Sequence, residues 1–556
     1  MTNALLGIAS SGLMAFQRSL ATTGHNIANV NTEGFSRQRV DLVEAPAHPG
    51  ATGFLGGGVE IVSVTRSYDN FLDNQVRTST STHAELDSYH RMAAQVDGII
   101  ADQDTSLSPS LQAFFNSVRG VTNDPTSVAA RRVMLAEGEH LVQRFNVLDK
   151  RMDELRGQVN QGLMGSVDEI NTLASGIATL NQRVVAALGQ SGGKQPPNDL
   201  MDQRNLLLEK LSEQIDTQVV AQDDGSLNVF VGTGQSLVLG TNTFRLKVQD
   251  SAYDANSKDI AISAGGSGAV VITDNLHGGE VGGLLEFTHR VLDPAQNALG
   301  RIAVGVSLQF NRQHRLGSGL DGQPGGDFFA EPTVSPTLTI FPKSGSSGTL
   351  TVNYNDPTQL RASDYRLDYE STATPAYALT RLSDNKVVAR NGTGDFTGAN
   401  SVDGLDIKLM GATSNGSFLI QPTQAAAGQI GLNMTDPRRI AAASTPTGGP
   451  GDNRNAGALA DLQTGLNLLD GTATYQDAYS EIVGNVGALT HAAEINSSAQ
   501  KNLLEHATQA RDSISGVNLD EEAANLIKFQ QSYQAAAQLI NVANSIFASL
   551  LGAVRS

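Results

Sequence analysis

The chain has no cysteine among its 556 residues. Disulfides, thiolate metal sites and a cysteine nucleophile are all excluded. The absence suits a protein that ends up outside the cell and must not crosslink on the way. Positive charge is short as well: 38 Lys and Arg stand against 56 Asp and Glu, a net charge of −18. No basic stripe exists to neutralise phosphates, which argues against nucleic acid and anionic lipid as partners. Long apolar runs are missing too. The stretch from Leu539 to Val554 is short and interrupted by Asn541, Asn544 and Ser545, so no membrane insertion is expected. No basic residue precedes the first apolar stretch, and Arg18 lies inside it, unlike a Sec signal. The chain is therefore expected to stay in the cytoplasm or to leave by a route that reads no cleaved signal.

Charge of either sign is thin, at 17% of residues, and thinnest at the two ends. From Phe529 to Val554 there is no Asp, Glu, Lys or Arg, and from Met1 to Thr32 only Arg18. Apolar residues recur every seventh place near the C-terminus: Leu519, Leu526, Tyr533, Ile540 and Phe547, with Phe529, Ala536, Ala543 and Leu550 on a second line. Leu6, Leu13, Leu20 and Ile27 do the same near the N-terminus, interleaved with Ala9, Phe16, Thr23 and Val30. These are a/d seams, and a seam needs a partner helix. An ordinary amphipathic core helix would carry charges on its outer face. Here that face is Gln, Asn, Ser, Thr and Ala, which favours burial against several neighbours.

Between the ends the pattern alternates. Residues 35–42 and 59–64 read as extended; 68–188 read as helical, broken at Ser108-Pro109 and Asp124-Pro125, with Asn123 or Asp124 as a cap. A helix is expected over 199–215. Residues 217–275 turn to short Val- and Thr-rich runs, with Asp224-Gly225 as a hairpin turn. Helix returns over 280–315, strand character over 331–447, and helix over 455–513. The expected fold is therefore α+β and multidomain. A terminal helix and linker (1–64) pairs with a C-terminal axial helix (514–556) in a coiled-coil base. A mainly helical domain (65–330) contains the small β part 217–275 and is completed by a helical return (451–513). A mostly-β outer domain (331–450) is inserted between them.

Two local motifs stand out. In Asn518-Leu519-Asp520-Glu521-Glu522, Asn518 reads as an N-cap, Glu521 as the residue reaching back, and the acids as complements of the helix dipole. A helix from there to about Leu551 would be roughly 50 Å long. The run Asn26-Ile27-Ala28-Asn29-Val30-Asn31-Thr32-Glu33-Gly34-Phe35 is dense in residues that tolerate left-handed backbone. By spacing alone it is equally a well-made helix stop.

This second motif, preceded by Ser11-Gly12-Leu13, resembles the N-terminal signature of the bacterial flagellar axial proteins, the rod, hook and hook-associated family. Phe35-Ser36-Arg37-Gln38 narrows the likeness to the hook-associated branch. Residues 513–522 and Lys528-Phe529-Gln530-Gln531-Ser532-Tyr533-Gln534-Ala535 resemble that branch's C-terminus. Asn198-Asp199-Leu200-Met201-Asp202-Gln203-Arg204, Phe310-Asn311-Arg312-Gln313-His314 and Gly325-Gly326-Asp327-Phe328-Phe329 agree. The likeness covers roughly 1–330 and 450–556. It implies a secreted structural protein at the hook–filament junction, exported through the flagellar type III channel and assembled as a ring of copies. Implied partners are further copies, hook protein, a second junction protein and an export chaperone. Another hook or rod component is the alternative. The expected assembly surface is Leu6, Leu13, Phe16, Leu20, Ile27, Asn29, Leu519, Leu526, Phe529, Tyr533, Ile540, Phe547 and Leu550.

No chemical site competes with this reading. Asp321-Gly322-Gln323-Pro324-Gly325-Gly326-Asp327 lacks the alternating carboxylates and closing Glu of a calcium loop. Gly56-Gly57-Gly58 leads into no helix bearing a Lys. His83 and His90, seven apart, and the distant His289 and His314 form no ligand pair. Gly317-Ser318-Gly319 is only a fragment of a hydrolase elbow. No catalytic residue, cofactor or metal is expected. A cell-wall hydrolase would need a carboxylate pair in a cleft, and a membrane translocator an apolar span.

Overall fold

The computed structural model describes residues 2–555 except 51–52, 103–105, 252–255, 265–266, 335–339 and 344–345. Helix α1 (Thr2–Ala28) stops where the Asn-rich run begins, and a ribbon follows. Its strands are β1 (Gln38–Glu44), β2 (His48–Gly50), β3 (Gly53–Leu55) and β4 (Val59–Arg66), with β1 antiparallel to β4 and β2 to β3. Helices α2 (Asn70–Ile100), α3 (Leu107–Asn123), α4 (Val128–Gln190) and α5 (Asn198–Gln214) then lay down the main domain.

The helix breaks differ from expectation in instructive ways. Pro109 lies inside the first turn of α3, where its missing N–H has no intrahelical partner to lose, so α3 already starts at Leu107. Ser127, not Asn123 or Asp124, caps α4 by accepting the Ala130 N–H at 3.2 Å. Asp124 takes the Thr126 hydroxyl instead, at 2.9 Å. At 63 residues α4 runs roughly 95 Å. Its inner stripe, including Phe145, Met152, Val159 and Ile170, is buried along the length.

Two small sheets built from 217–271 lie against α4. Asp224-Gly225 makes the expected turn, with Gly225 at φ 87° and the Asp224 carboxylate accepting the Ser226 N–H at 2.8 Å. Asparagines on α4 clasp the sheets. Asn181 donates to the Leu227 and Gly240 carbonyls, and Asn171 both donates to and accepts from the Leu246 backbone.

The helix expected over 280–315 is present from Gly279 to Arg315, as α6 (Gly279–Phe287) and α7 (Asp293–Arg315) continuous through a π-turn over 288–292. Pro294 cannot donate into the preceding turn, and a wider turn accommodates its ring. Beyond a short α8 (Ala426–Gln429), the helix expected over 455–513 is two: α9 (Arg454–Asp461) and α10 (Tyr475–Ser515). Leu469, Asp470 and Gly471, all at positive φ, break it. A capping box, Thr474 with Asp477, starts it again.

Between Ile340 and Ile420 the chain forms an antiparallel five-stranded sheet and a three-stranded one around Leu350, Leu367, Leu379, Phe396, Ile407 and Phe418. Phe329–Ala330 pairs with Gly431–Leu432 at the root of this unit. Residues 430–442 return to the main core through Ile430, Met434, Ile440 and Ala442.

Helix α7 is the shared wall. Leu299, Ile302, Val306 and Phe310 lie in the main core, while Val304 and Leu308 face the β unit. Asn311 at its end latches the 325–329 segment, accepting the N–H groups of Phe328 (2.9 Å) and Phe329 (3.0 Å). Gly300 is where β-unit backbone meets α7: a Cβ there would lie 1.7 Å from the Thr423 carbonyl oxygen. Gly300→Ala should therefore lower unfolding stability by about 1–3 kcal/mol through overpacking. Gly157→Ala, mid-α4 with nothing within 4 Å of the added carbon, should raise it by up to about 1 kcal/mol. Urea midpoints of the two variants, of opposite sign, check this.

Buried Asp149 on α4 packs against Gly428. Burial, then the nearby Asp153, push its carboxyl up to about 7 against the opposing pull of Arg156. The folded chain thus holds a proton that the unfolded chain, titrating near 3.8, has released, and stability falls as pH rises through about 7. Asp149→Asn should raise the melting temperature at pH 8 and change it little at pH 4, as thermal scans across pH will show.

Candidate assembly site at the junction of the chain ends

Helices α1 and α11 (Leu519–Arg555, 37 residues) pack on each other and meet at a polar node where they leave the main domain. Asn26, 1% exposed, is its centre. Its amide nitrogen donates to the Gln38 carbonyl (2.8 Å) and to a Glu522 carboxylate oxygen (3.1 Å), and its oxygen accepts the Gln38 N–H (2.9 Å). Glu522, 2% exposed, also accepts Arg37 Nε and Nη2, both at 2.8 Å. The Arg37 N–H donates to the Ser515 carbonyl at 2.8 Å, fixing the end of α10.

The 198–204 motif anchors this node to the main domain. Asp202 on α5 accepts the Ser36 N–H (3.1 Å) and Arg66 Nη1 (2.7 Å). Burial pushes the Asp202 carboxyl up, and Arg66 opposes it. Asp199 accepts the Gln38 amide at 2.8 Å, and Asn198 donates to the Val64 carbonyl at 2.7 Å. A buried charge without such partners would cost several kcal/mol, so each ion here requires the others.

The Asn-rich run does both things that its composition allowed. It stops α1, with the Asn29 amide donating to the His25 carbonyl (3.0 Å) and its oxygen accepting the Thr32 hydroxyl (3.2 Å). It also carries the chain into the node. Gly34, at φ 75° and with a would-be Cβ 3.0 Å from Leu206, lets Phe35 turn back edge-on to His25, 5.3 Å between ring centres. Asn518 caps α11 through the Asp520 N–H (2.9 Å) as expected. Glu521 does not reach back; it is drawn to Arg37 Nη1 at 2.7 Å, a stronger charge-assisted partner.

The seam between α1 and α11 is made of smaller residues than expected. Buried on α1 are Ala9, Ala15, Ser19, Thr22, Thr23 and Asn26; on α11, Glu522, Ala536 and Ala543. Leu6, Leu13, Phe16, Leu20, Ile27 and Asn29 sit at its margin, half-buried, as do Phe529, Tyr533 and Ile540. Leu519, Leu526 and Phe547 are exposed, at 51%, 36% and 45%. The Leu550 side chain lies outside the described residues. Ser19, Thr22 and Glu522 lack the bulk that marks an apolar seam, although 15, 19, 22 and 26 keep heptad spacing. Large apolar side chains also remain outside: Leu5, Ile8 and Met14 on α1, and Ile527, Leu539, Val542 and Ile546 on α11.

Nothing among the described residues competes as a chemical site. No group of three His, Asp or Glu is placed to hold a metal ion, and no helix is long and apolar enough to cross a membrane. His314 is a core residue, fully buried between the Gly326 carbonyl and the Ala441 N–H, with burial holding its imidazole down at about 4.

Chain ends paired at one root, with the middle looped out as helical and β units, define an axial protein of the flagellar type. Comparison with known proteins agrees along the whole chain. Family models match for the flagellar hook-associated protein FlgK helical domain (93–329) and for the flagellar hook-associated protein 1 D2-like domain (342–422), a stretch in which the sequence offered no motif. The ends match the flagella basal body rod protein model (6–35) and the basal body rod FlgEFG C-terminal model (508–553). The chain is 35% identical to flagellar hook-associated protein 1 of Salmonella typhimurium and 33% identical to that of Escherichia coli K12, covering 99% of each chain. The solved structure of the hook junction protein FlgK from Burkholderia pseudomallei shares the fold, with a TM-score of 0.73 over 80% of this chain and all of that one, at 24% identity. The chain belongs to the flagellar hook-associated protein 1 family. It is a structural, non-enzymatic component of the bacterial flagellum, exported to the hook–filament junction.

The node makes a local prediction. Glu522→Ala leaves Arg37 without its buried partner and should cost about 3–5 kcal/mol of docking of α11. Glu521→Gln removes an exposed pair and should cost under about 1 kcal/mol. Hydrogen exchange over 519–530 should rise sharply in the first variant and little in the second.

Proposed function

We propose that α1 and α11 form the coiled-coil base of a ring of copies, and that their outer apolar faces are its subunit contacts. One observation carries this reading. Two helices that pack on each other through Ala, Ser and Thr leave larger apolar side chains outside, on surfaces with little charge, none of it between Phe529 and Val554. In this proposal the assembly surface is the margin and the exposed rim: Leu6, Leu13, Phe16, Leu20 and Ile27 with Leu519, Leu526, Phe529, Tyr533, Ile540, Phe547 and Leu550. Asn29 holds the turn beneath it. The chain divides at 1–64, 65–330, 331–450, 451–513 and 514–556, with the β-rich 331–450 unit facing outward as a tolerant insertion.

Hook protein lies below the ring and the second junction protein above it. Before export, a chaperone covers the C-terminal stripe and keeps it from self-association, since an amphipathic helix with an unfilled face is what a hydrophobic groove recognises.

Ile540→Ala combined with Phe547→Ala tests the reading. Truncating large buried anchors costs about 2–5 kcal/mol each, so chaperone affinity by calorimetry and filament attachment in cells should both fall. The melting temperature of the monomer should hardly move, because neither side chain belongs to its core. A double variant that binds chaperone normally and still anchors filaments would remove this stripe from the assembly surface.

A further inference from the structure

Arg301 is the odd cation of the main domain. It sits on α7 with its side chain 6% exposed, and its Nε is buried without a hydrogen-bond partner. Its nearest counter-charge, Glu481 on α10, stands 3.9 Å away and is itself half exposed. Arg204 also has an unpartnered Nε, but its other nitrogens and those of the remaining buried arginines make close hydrogen bonds. Arg131 donates to the Pro125 and Ile440 carbonyls, Arg156 to Asp293 and Gln296, and Arg204 to Asn181 and Gly225. Burial lowers the proton affinity of Arg301, and Glu481 only partly restores it. A planar cation with five donors is built for two-pronged binding of a carboxylate, and a loose contact at 3.9 Å leaves that capacity unused.

Arg301 and Glu481 line a pocket of about 160 Å³ where α7, α10 and Ala362 of the β unit meet. Its remaining walls are largely apolar, with Ala295, Ile482, Val486 and Leu489 among them. A cavity of roughly 150 Å³ takes in a benzene-sized molecule. We propose that this pocket binds a carboxylate on a short apolar stem, the carboxylate on Arg301 in place of Glu481 and the stem against Ile482, Val486 and Leu489. A free short-chain acid and an acidic side chain of a neighbouring subunit share this chemistry. The second source rests on the proposed ring of copies; the butyrate measurements below do not, so failure of the pocket and failure of the ring contacts are distinguishable.

The test uses the full-length protein with sodium butyrate as probe, and with butyramide and sodium chloride at matched concentration as controls. Butyrate alone should raise the melting temperature saturably. Glu481→Gln removes the competing carboxylate and should tighten butyrate binding several-fold by calorimetry. Arg301→Met should abolish the response while leaving the protein folded, since an apolar replacement of a poorly paired buried ion is often neutral or stabilising. Filament attachment in cells carrying Arg301→Met separates the sources: loss with a secreted, folded protein identifies a neighbour's side chain, and normal attachment identifies a free acid. No butyrate response in wild type and in Glu481→Gln, or an equal response in Arg301→Met, overturns the proposal whatever the cells show.

Discussion

A carboxylate 2% exposed cannot stand alone, and the placement of Glu522 constrains the geometry of both chain ends. Two nitrogens of Arg37 and the amide of Asn26 converge on it, so the start of α11, the end of α1 and the strand after it are fixed by one charge. Arg37 in turn holds the last turn of α10, and Gln38 and Ser36 tie the same segment to α5. The specificity of the junction is polar, as one expects where two helices with small, slippery seams need a defined register. The apolar side chains are thereby released from holding the monomer together and left on the outside.

The main domain uses the opposite economy. There α7 is nearly all buried, serving the helical core on one side and the β unit on the other. Arg301 apart, its buried polar residues are largely consumed internally, Asn311 by the backbone of 328–329 and Gln309 by the Asn467 carbonyl and the Tyr475 hydroxyl.

Much of this was legible in the residues. Heptad spacing and missing charge marked both terminal helices, and the Asn-Ile-Ala-Asn run, the 198–204 motif and Asn518–Glu522 proved to be three sides of one node. Less legible was which stripe faces inward. Leucines and phenylalanines dominated the pattern, yet Ala15, Ser19, Thr22 and Asn26 carry the same 4-3-4 spacing, and small residues permit the closer approach. Nor could spacing foresee that Glu521 would abandon its capping role, because that depends on Arg37 arriving from far along the chain. Local backbone chemistry leaves only faint traces in composition: the π-turn before Pro294 interrupts no helix, whereas the left-handed run at 469–471 divides one.

In the proposed ring the outer faces of α1 and α11 touch other copies. The cysteine-free background allows a direct measurement. Cysteines placed at exposed Met14 and Val542, one on each helix, can be bridged by a short bismaleimide in isolated flagella and in dilute secreted monomer. The account predicts a ladder of covalent oligomers from flagella and none from monomer. Flagella that retain their filaments yet yield only single chains at full cysteine modification would contradict it.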